Sequence, residues 1–240
     1  MRMALGVRRL VTLVLLGGAA VVWAAQDQPA PAERMLLSAL QGRRYERVSY
    51  DAEGRVEERA MIAAGRLEIN GDEVTLPLEV DVSRGDGVGR RFSTRWTCAP
   101  QAGDMAMAIL TFSDDLDKPS MRLETTGDAL MYPRDVPSDE TLPDVSVDVK
   151  VRQGFLRILG ARTRITLTDR RIEPVPSASG GLAPEAYTIT SDIDFRAYAW
   201  GIRVRRARFE SEETVDPREG LLRHVLRRED GGYSELQRLP

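Results

Sequence analysis

The residues of this chain that could do chemistry are few, and their spacing suits little of it. There is one histidine, His224, and one cysteine, Cys98. His224 lies in Leu221-Leu222-Arg223-His224-Val225-Leu226, which reads as a strand with Leu222 and Leu226 on the histidine's face. A histidine that activates a serine must face that nucleophile and be oriented by a carboxylate. No G-x-S-x-G turn supplies the serine, so His224 reads as a packed structural residue. One histidine and one cysteine cannot build a structural zinc site. Asp114-Asp115-Leu116-Asp117 opens like a calcium loop, but the turn glycine and the distal glutamate are missing and Pro119 interrupts it. It reads as a solvated loop. Glycoside hydrolysis by two carboxylates stays as a minor alternative, with no Asp or Glu pair singled out. No cofactor, no metal and no catalytic residue is expected.

What remains suits binding. Tyr187, Phe195, Tyr198 and Trp200 fall close together ahead of Gly201. Trp96 shares a strand face with Phe92, Thr94 and Cys98, and Arg203, Arg205, Arg206 and Arg208 make the segment after Gly201 basic. The candidate ligand or partner contacts are therefore Trp96, Tyr187, Phe195, Tyr198, Trp200, Arg203 and Arg205. The apolar faces could enclose an acyl chain or could be the protein's own core, and composition does not separate the two. The basic strand could meet anionic lipid headgroups or an acidic envelope partner. Its alternative is a solvated face balanced by Glu210, Glu212 and Glu213. Arg84-Gly85-Asp86 reads as a β-turn. Cys98 has no intrachain partner for a disulfide, and Trp96-Thr97-Cys98-Ala99 reads as a strand end with a buried, inert thiol.

The elements that must position these residues have period two. Tyr45–Tyr50 and Val56–Met61 read as a hairpin across Asp51-Ala52-Glu53-Gly54, and Arg66–Ile69 and Val74–Val82 as another across Asn70-Gly71. Val74, Leu76, Leu78, Val80 and Val82 alternate with mostly polar neighbours, as do Val145, Val147, Val149 and Val151. Met121–Thr125 and Ala129–Tyr132 are expected to pair around Gly127. Ala106–Phe112 is apolar throughout and suits strand or helix. Thr163–Leu167, Arg171–Val175, Tyr187–Phe195, Ile202–Phe209 and Leu221–Arg228 complete the set, with loops at Pro133–Pro143 and Pro176–Pro184. Short strands with turn signals every 8 to 12 residues or so indicate an all-β fold. The expectation is a curved antiparallel sheet, a half-barrel or a sandwich, of about ten to twelve strands with a short N-terminal helix. The absence of long helices between strands argues against a nucleotide-binding α/β fold.

Residues 1–25 read as a secretory signal peptide: Arg2, Arg8 and Arg9, an apolar core from Leu10 to Val22, then small residues at Ala24 and Ala25. That core is too short for a comfortable bilayer span, which takes about 20 residues. Residues 26–42 read as a Pro-containing linker and a short helix carrying Leu36, Leu37 and Leu40, and 43–240 as a single all-β domain. The whole chain carries −3; the expected leader takes three arginines and no acid with it, which leaves −6. That balance argues against a nucleic-acid partner.

Several stretches resemble the TapB family of exported bacterial proteins. They are Tyr50-Asp51-Ala52-Glu53-Gly54-Arg55, Trp96-Thr97-Cys98 with Met105-Ala106-Met107, and Met131-Tyr132-Pro133 with Leu142-Pro143-Asp144. Ala186-Tyr187-Thr188-Ile189 and Ala197-Tyr198-Ala199-Trp200-Gly201-Ile202-Arg203 match its closing strands, although Ala186 stands where the family often has cysteine. The resemblance implies a curved sheet related to periplasmic lipoprotein carriers, and implies no activity. The reading is of a periplasmic or secreted, non-enzymatic bacterial envelope protein, with no membrane-spanning segment after leader removal. It would bind a hydrophobic ligand (a lipid or a lipoprotein acyl chain) or an envelope partner. The alternative is a structural or assembly protein acting through exposed strand edges.

Overall fold

The computed structural model describes residues 40–71, 73–84, 89–99, 121–127, 132–133, 141–151, 162–175, 186–216 and 219–240. The leader, most of the expected short helix, Ala106–Phe112, the acidic run at 114–117 and most of both Pro-containing loops lie outside them. Among the described residues twelve strands form one sheet: β1 (Arg44–Tyr50), β2 (Val56–Ala64), β3 (Glu68–Asn70), β4 (Glu73–Arg84), β5 (Gly89–Cys98), β6 (Met121–Gly127), β7 (Val145–Val151), β8 (Arg162–Pro174), β9 (Tyr187–Ala199), β10 (Ile202–Asp216), β11 (Gly220–Arg228) and β12 (Tyr233–Arg238). No helix among the described residues is long and apolar enough to cross a membrane.

Consecutive strands pair antiparallel, except that β2 and β3 both pair with β4 and not with each other, and that β5 and β6 are parallel over Trp96–Met121, Thr97–Arg122 and Cys98–Leu123. β12 pairs with β1, and β2 lies against β4 from Ala64–Leu78 to Glu58–Arg84, so the sheet curls strongly toward itself. It is not a uniformly laced barrel, because only three residue pairs join β5 to β6 while ten join β4 to β5. The result is the expected curved, nearly all-antiparallel sheet, and not a two-sheet sandwich.

The alternation read from the sequence sets the inner face. Val74, Leu76, Leu78, Val80 and Val82 are all buried, and Thr94, Trp96 and Cys98 lie opposite them on β5. Val145, Val147 and Val149 continue the face on β7, and Ile165 and Leu167 on β8. One face of each strand buried against a shared interior is the usual way an antiparallel sheet gains stability.

Three sequence expectations change. The segments Thr163–Leu167 and Arg171–Val175 belong to one strand, β8, with an extra residue between Thr168 and Arg171. Asp169 takes a left-handed conformation there (φ 50°), which Asp tolerates better than most residues. The bulge shifts the alternation by one, so Arg170 and Ile172 face inward after Leu167. β6 pairs antiparallel with β7, with Gly127 opposite Val147, while Ala129–Met131 of the segment expected to pair with it lie outside the described residues. A side chain at Gly127 would meet the Ser146 carbonyl at 2.4 Å, so glycine permits this close approach. β9 and β10 extend well beyond the segments foreseen, and β12 was not foreseen at all. Tyr233 of β12 stacks on Tyr50 of β1 with ring centroids 4.4 Å apart.

The first hairpin is fixed by Asp51. Its carboxylate accepts the backbone N–H groups of Glu53 (3.0 Å) and Arg55 (2.8 Å), and these bonds hold its carboxyl below the usual range. Gly54, with φ 79°, supplies the left-handed step of the turn.

Candidate functional site

Two places concentrate polar or binding chemistry: a buried cluster on the inner face of β10 and β11, and the tip of the β9–β10 hairpin.

The buried cluster follows from register. Glu213 lies opposite His224, and Ser211 opposite Leu226. Ser211 Oγ is 2.8 Å from His224 Nε2, and Glu213 Oε1 is 3.7 Å from the same nitrogen. Tyr132 donates its hydroxyl to Glu213 Oε2 at 2.9 Å, and Arg170 donates to the Pro143 carbonyl at 3.1 Å. His224 is 1% exposed. Its burial pushes the imidazole toward the neutral form, and the Glu213 charge offsets that only in part. A serine, a histidine and a carboxylate are present, but a catalytic triad needs the acid on the imidazole nitrogen that does not face the serine. Here serine and acid share Nε2, and all three side chains are buried. The cluster pairs Ser211 with His224 and Tyr132 with Glu213 inside the sheet. His224 thus sits packed, as read from its apolar neighbours. Ser211 and Glu213 were not foreseen as inward, yet β10's alternation between Phe209 and Val215 contained the signal.

The candidate binding residues separate. Trp96 (1% exposed) and Tyr187 (0%) lie in the core, and Phe195 packs partly buried against it. Tyr187 donates its hydroxyl to the Pro133 carbonyl at 2.9 Å. It stands at the opposite end of β9 from Trp200, about 40 Å along the strand at 3.3 Å per residue, so the aromatic cluster of the linear sequence does not form. Among the described residues, the space between Leu40, Tyr45, Ile62 and Leu236 amounts to about 10 Å³. That admits about one water and no acyl chain.

The hairpin tip keeps Tyr198, Trp200, Arg203 and Arg205. Ala199 pairs with Ile202 across a two-residue turn, Trp200-Gly201, in which both residues have positive φ, 50° and 77°. This is the primed turn that matches strand twist, and asparagine is favoured where tryptophan stands here. Trp200 is 73% exposed, Ile202 69% and Val204 63%. Val204 is the extra residue of a bulge between Arg203 and Arg205. β11 accompanies β10 only from Phe209 onward, so residues 202–208 have no partner on that side among the described residues.

Charge at the tip is one-sided. From Phe195 to Phe209 there are five arginines and no acid. Arg196 and Arg206 share Asp194, which they hold far below the usual carboxylate range. Arg208 lies 3.7 Å from Glu229, and Arg162 of β8 covers the Tyr198 ring at 5.1 Å. Arg203 and Arg205 make no ion pair among the described residues. Of the acids expected to balance this strand, Glu212 binds Arg223 and Arg227 and Glu213 is buried, while Glu210 is exposed in the groove that Arg208 also lines.

Below the tip, an open groove of about 770 Å³ runs along the outer face past Thr166, Asp194, Arg208 and Tyr233. Asp192 and Glu210 face each other in it across β9 and β10. Both are solvent-exposed.

The turn yields a stability prediction. A bulky L-residue in the left-handed region costs about 1–2 kcal/mol, and Asn tolerates it better. Trp200→Asn is therefore expected to raise the unfolding free energy by about 0.5–1 kcal/mol, read as a higher denaturant midpoint at unchanged slope.

A curved, nearly all-antiparallel sheet with a packed inner face and a hairpin tip that is cationic and apolar is the class of protein the described elements define. Its course is similar to that of a candidate lipoprotein from Parabacteroides distasonis, at 12% identity and a TM-score of 0.46, covering 82% of this chain and 94% of that one. It is also similar to a candidate exported protein with a YmcC-like fold from Bacteroides fragilis, at 14% identity and a TM-score of 0.43, covering 83% of this chain and 96% of that one. No protein-family model matches the chain, so the resemblance to the TapB family is not confirmed, and no curated protein matches it.

Proposed function

We propose that this is an exported, non-enzymatic protein of the bacterial envelope that docks to another envelope component through the β9–β10 hairpin tip. The basic, apolar, small-residue order of residues 1–25 supports export. One observation carries the docking reading. A tryptophan is held 73% exposed in a left-handed turn position, where it costs stability and adds nothing to the core. Two further apolar side chains, Ile202 and Val204, stand exposed beside it. The packed space around Leu40 and Tyr45 weighs against an acyl chain held inside the sheet.

The test is photo-crosslinking in intact cells. A photoreactive residue in place of Trp200 is expected to give adducts to envelope material. One in place of Thr190, exposed near the other end of β9, is expected to give none. Equal labelling from both positions, or none from either, would refute the reading.

A further inference from the structure

Resting on that docking reading, we infer that the surface the hairpin meets is an anionic lipid bilayer. The tip is small. Trp200, Ile202 and Val204 fall within five residues of one turn and its bulge. A stable protein interface takes about 800 Å² from each partner, with a well-packed centre. Three side chains on a two-residue turn fall short of that, but they suit shallow insertion. Tryptophan's amphipathic ring favours the headgroup level of a bilayer, with aliphatic neighbours just below it.

The charge around these side chains is complementary to lipid phosphate. Arg203 and Arg205 flank Val204 directly and are exposed, with no ion pair among the described residues. Guanidinium groups match phosphate oxygens in a bidentate fork. Arg196 and Arg206 stand one pair further down β9 and β10, with Asp194 neutralising part of their charge. The chain as a whole is acidic, at −3, so only this local excess draws the protein toward an anionic surface.

A rival explanation is that the arginines guard a free strand edge against pairing with other chains. That accounts for Arg203, Arg205 and Arg208. It does not account for Trp200, Ile202 and Val204, since an edge protected from association does not display its largest apolar side chains at the exposed end.

The test uses the full chain and two kinds of vesicle, phosphatidylcholine alone and an equal mixture of phosphatidylcholine and phosphatidylglycerol, with bound protein separated by flotation. Wild type is expected to bind the mixed vesicles and not the neutral ones, and to release as salt is raised. Each arginine near an anionic surface counts for about fivefold in partitioning, so R203Q/R205Q is expected to lose about 25-fold. Trp200→Asn, which should fold at least as well as wild type, is expected to lose about tenfold. Asp194→Asn removes an acid and frees two arginines, and is expected to bind about fivefold better. That gain is one a merely weakened fold would not produce. All variants carry the same N-terminal segment, so a difference among them belongs to the tip. Equal binding by wild type, R203Q/R205Q and Trp200→Asn overturns the inference, as does wild-type indifference to phosphatidylglycerol. If either occurs while position 200 still crosslinks in cells, docking stands and its partner is a protein. If crosslinking fails as well, the docking reading falls with it.

Discussion

Trp96→Ala is expected to lower the unfolding free energy by about 4 kcal/mol, whereas Trp96→Phe should stay within about 1 kcal/mol of wild type. The indole is 1% exposed on the inner face of β5, opposite Leu76 of β4 and Met121 of β6. Truncation to alanine removes a full aromatic payload and leaves a cavity that strands on both sides cannot close without breaking register. Phenylalanine keeps most of that volume. It also removes a buried donor: the indole N–H has no hydrogen-bond partner among the described residues. A buried, unpaired donor costs about 1–3 kcal/mol, which offsets much of the smaller ring's lost burial. Denaturant unfolding followed by far-ultraviolet circular dichroism measures both values, and is needed because tryptophan fluorescence changes with the mutation itself. A Trp96→Phe loss as large as that of alanine would mean that the N–H is satisfied and the site is polar. Vesicle binding by Trp96→Phe should match wild type, since Trp96 belongs to the core and not to the tip.

Trp96 also shows where sequence reading runs out. Its place in the alternation Phe92, Thr94, Trp96, Cys98 announced an inward residue, and the structure puts it inward. Whether inward meant ligand or core depends on what fills the interior, and that is set by strands far away in sequence. The same holds for Tyr187, which looked like a neighbour of Trp200 because only twelve residues separate them. In an extended strand that separation is a length and not a cluster. Local pattern found the alternating strands β4 and β7, and the Asp51 and Asn70-Gly71 hairpins, because each rests on contacts a few residues apart. It did not find the β12–β1 and β2–β4 pairings that curl the sheet, nor the parallel β5–β6 step.

The bulges were the second blind spot. An extra residue changes which face every later side chain takes, so two pieces of β8 looked like two strands. At the tip, the bulge at Val204 separates Arg203 from Arg205 and leaves Ile202 and Val204 outside the core. Trp200, Arg203 and Arg205 were legible from residue type next to a turn glycine. Ile202 and Val204 were not, because aliphatic residues in a strand are ordinarily core.

Between about pH 6.5 and 5, stability is expected to fall by up to about 1.4 kcal/mol per pH unit, and His224→Gln should flatten that slope. His224 is the chain's one histidine, so no other side chain has its ordinary midpoint in this window. In the folded protein, burial holds its affinity for protons below that of the unfolded chain. Above pH 6.5 both states carry neutral imidazole and the difference has no effect. As pH falls below the unfolded midpoint, the unfolded chain takes up a proton that the folded protein refuses, and unfolding is favoured. The loss continues until the folded histidine itself protonates. Glu213, 3.7 Å from Nε2, works in the opposite direction by favouring the charged ring, and so sets how far down in pH the slope extends. The carboxylates act in a separate window. Asp51, Asp148, Asp194 and Asp230 are held below their ordinary range by arginines and backbone N–H groups. Their contribution is present above about pH 4 and lost only as pH falls further. Denaturant unfolding at half-unit intervals of pH, on wild type and His224→Gln, reads the two windows apart. A wild-type profile flat from pH 6.5 to 5 would mean that His224 keeps its ordinary affinity for protons, with the imidazolium bound by Glu213. The inner face of β10 and β11 would then hold an ion pair in place of a hydrogen bond between Ser211 and an uncharged imidazole.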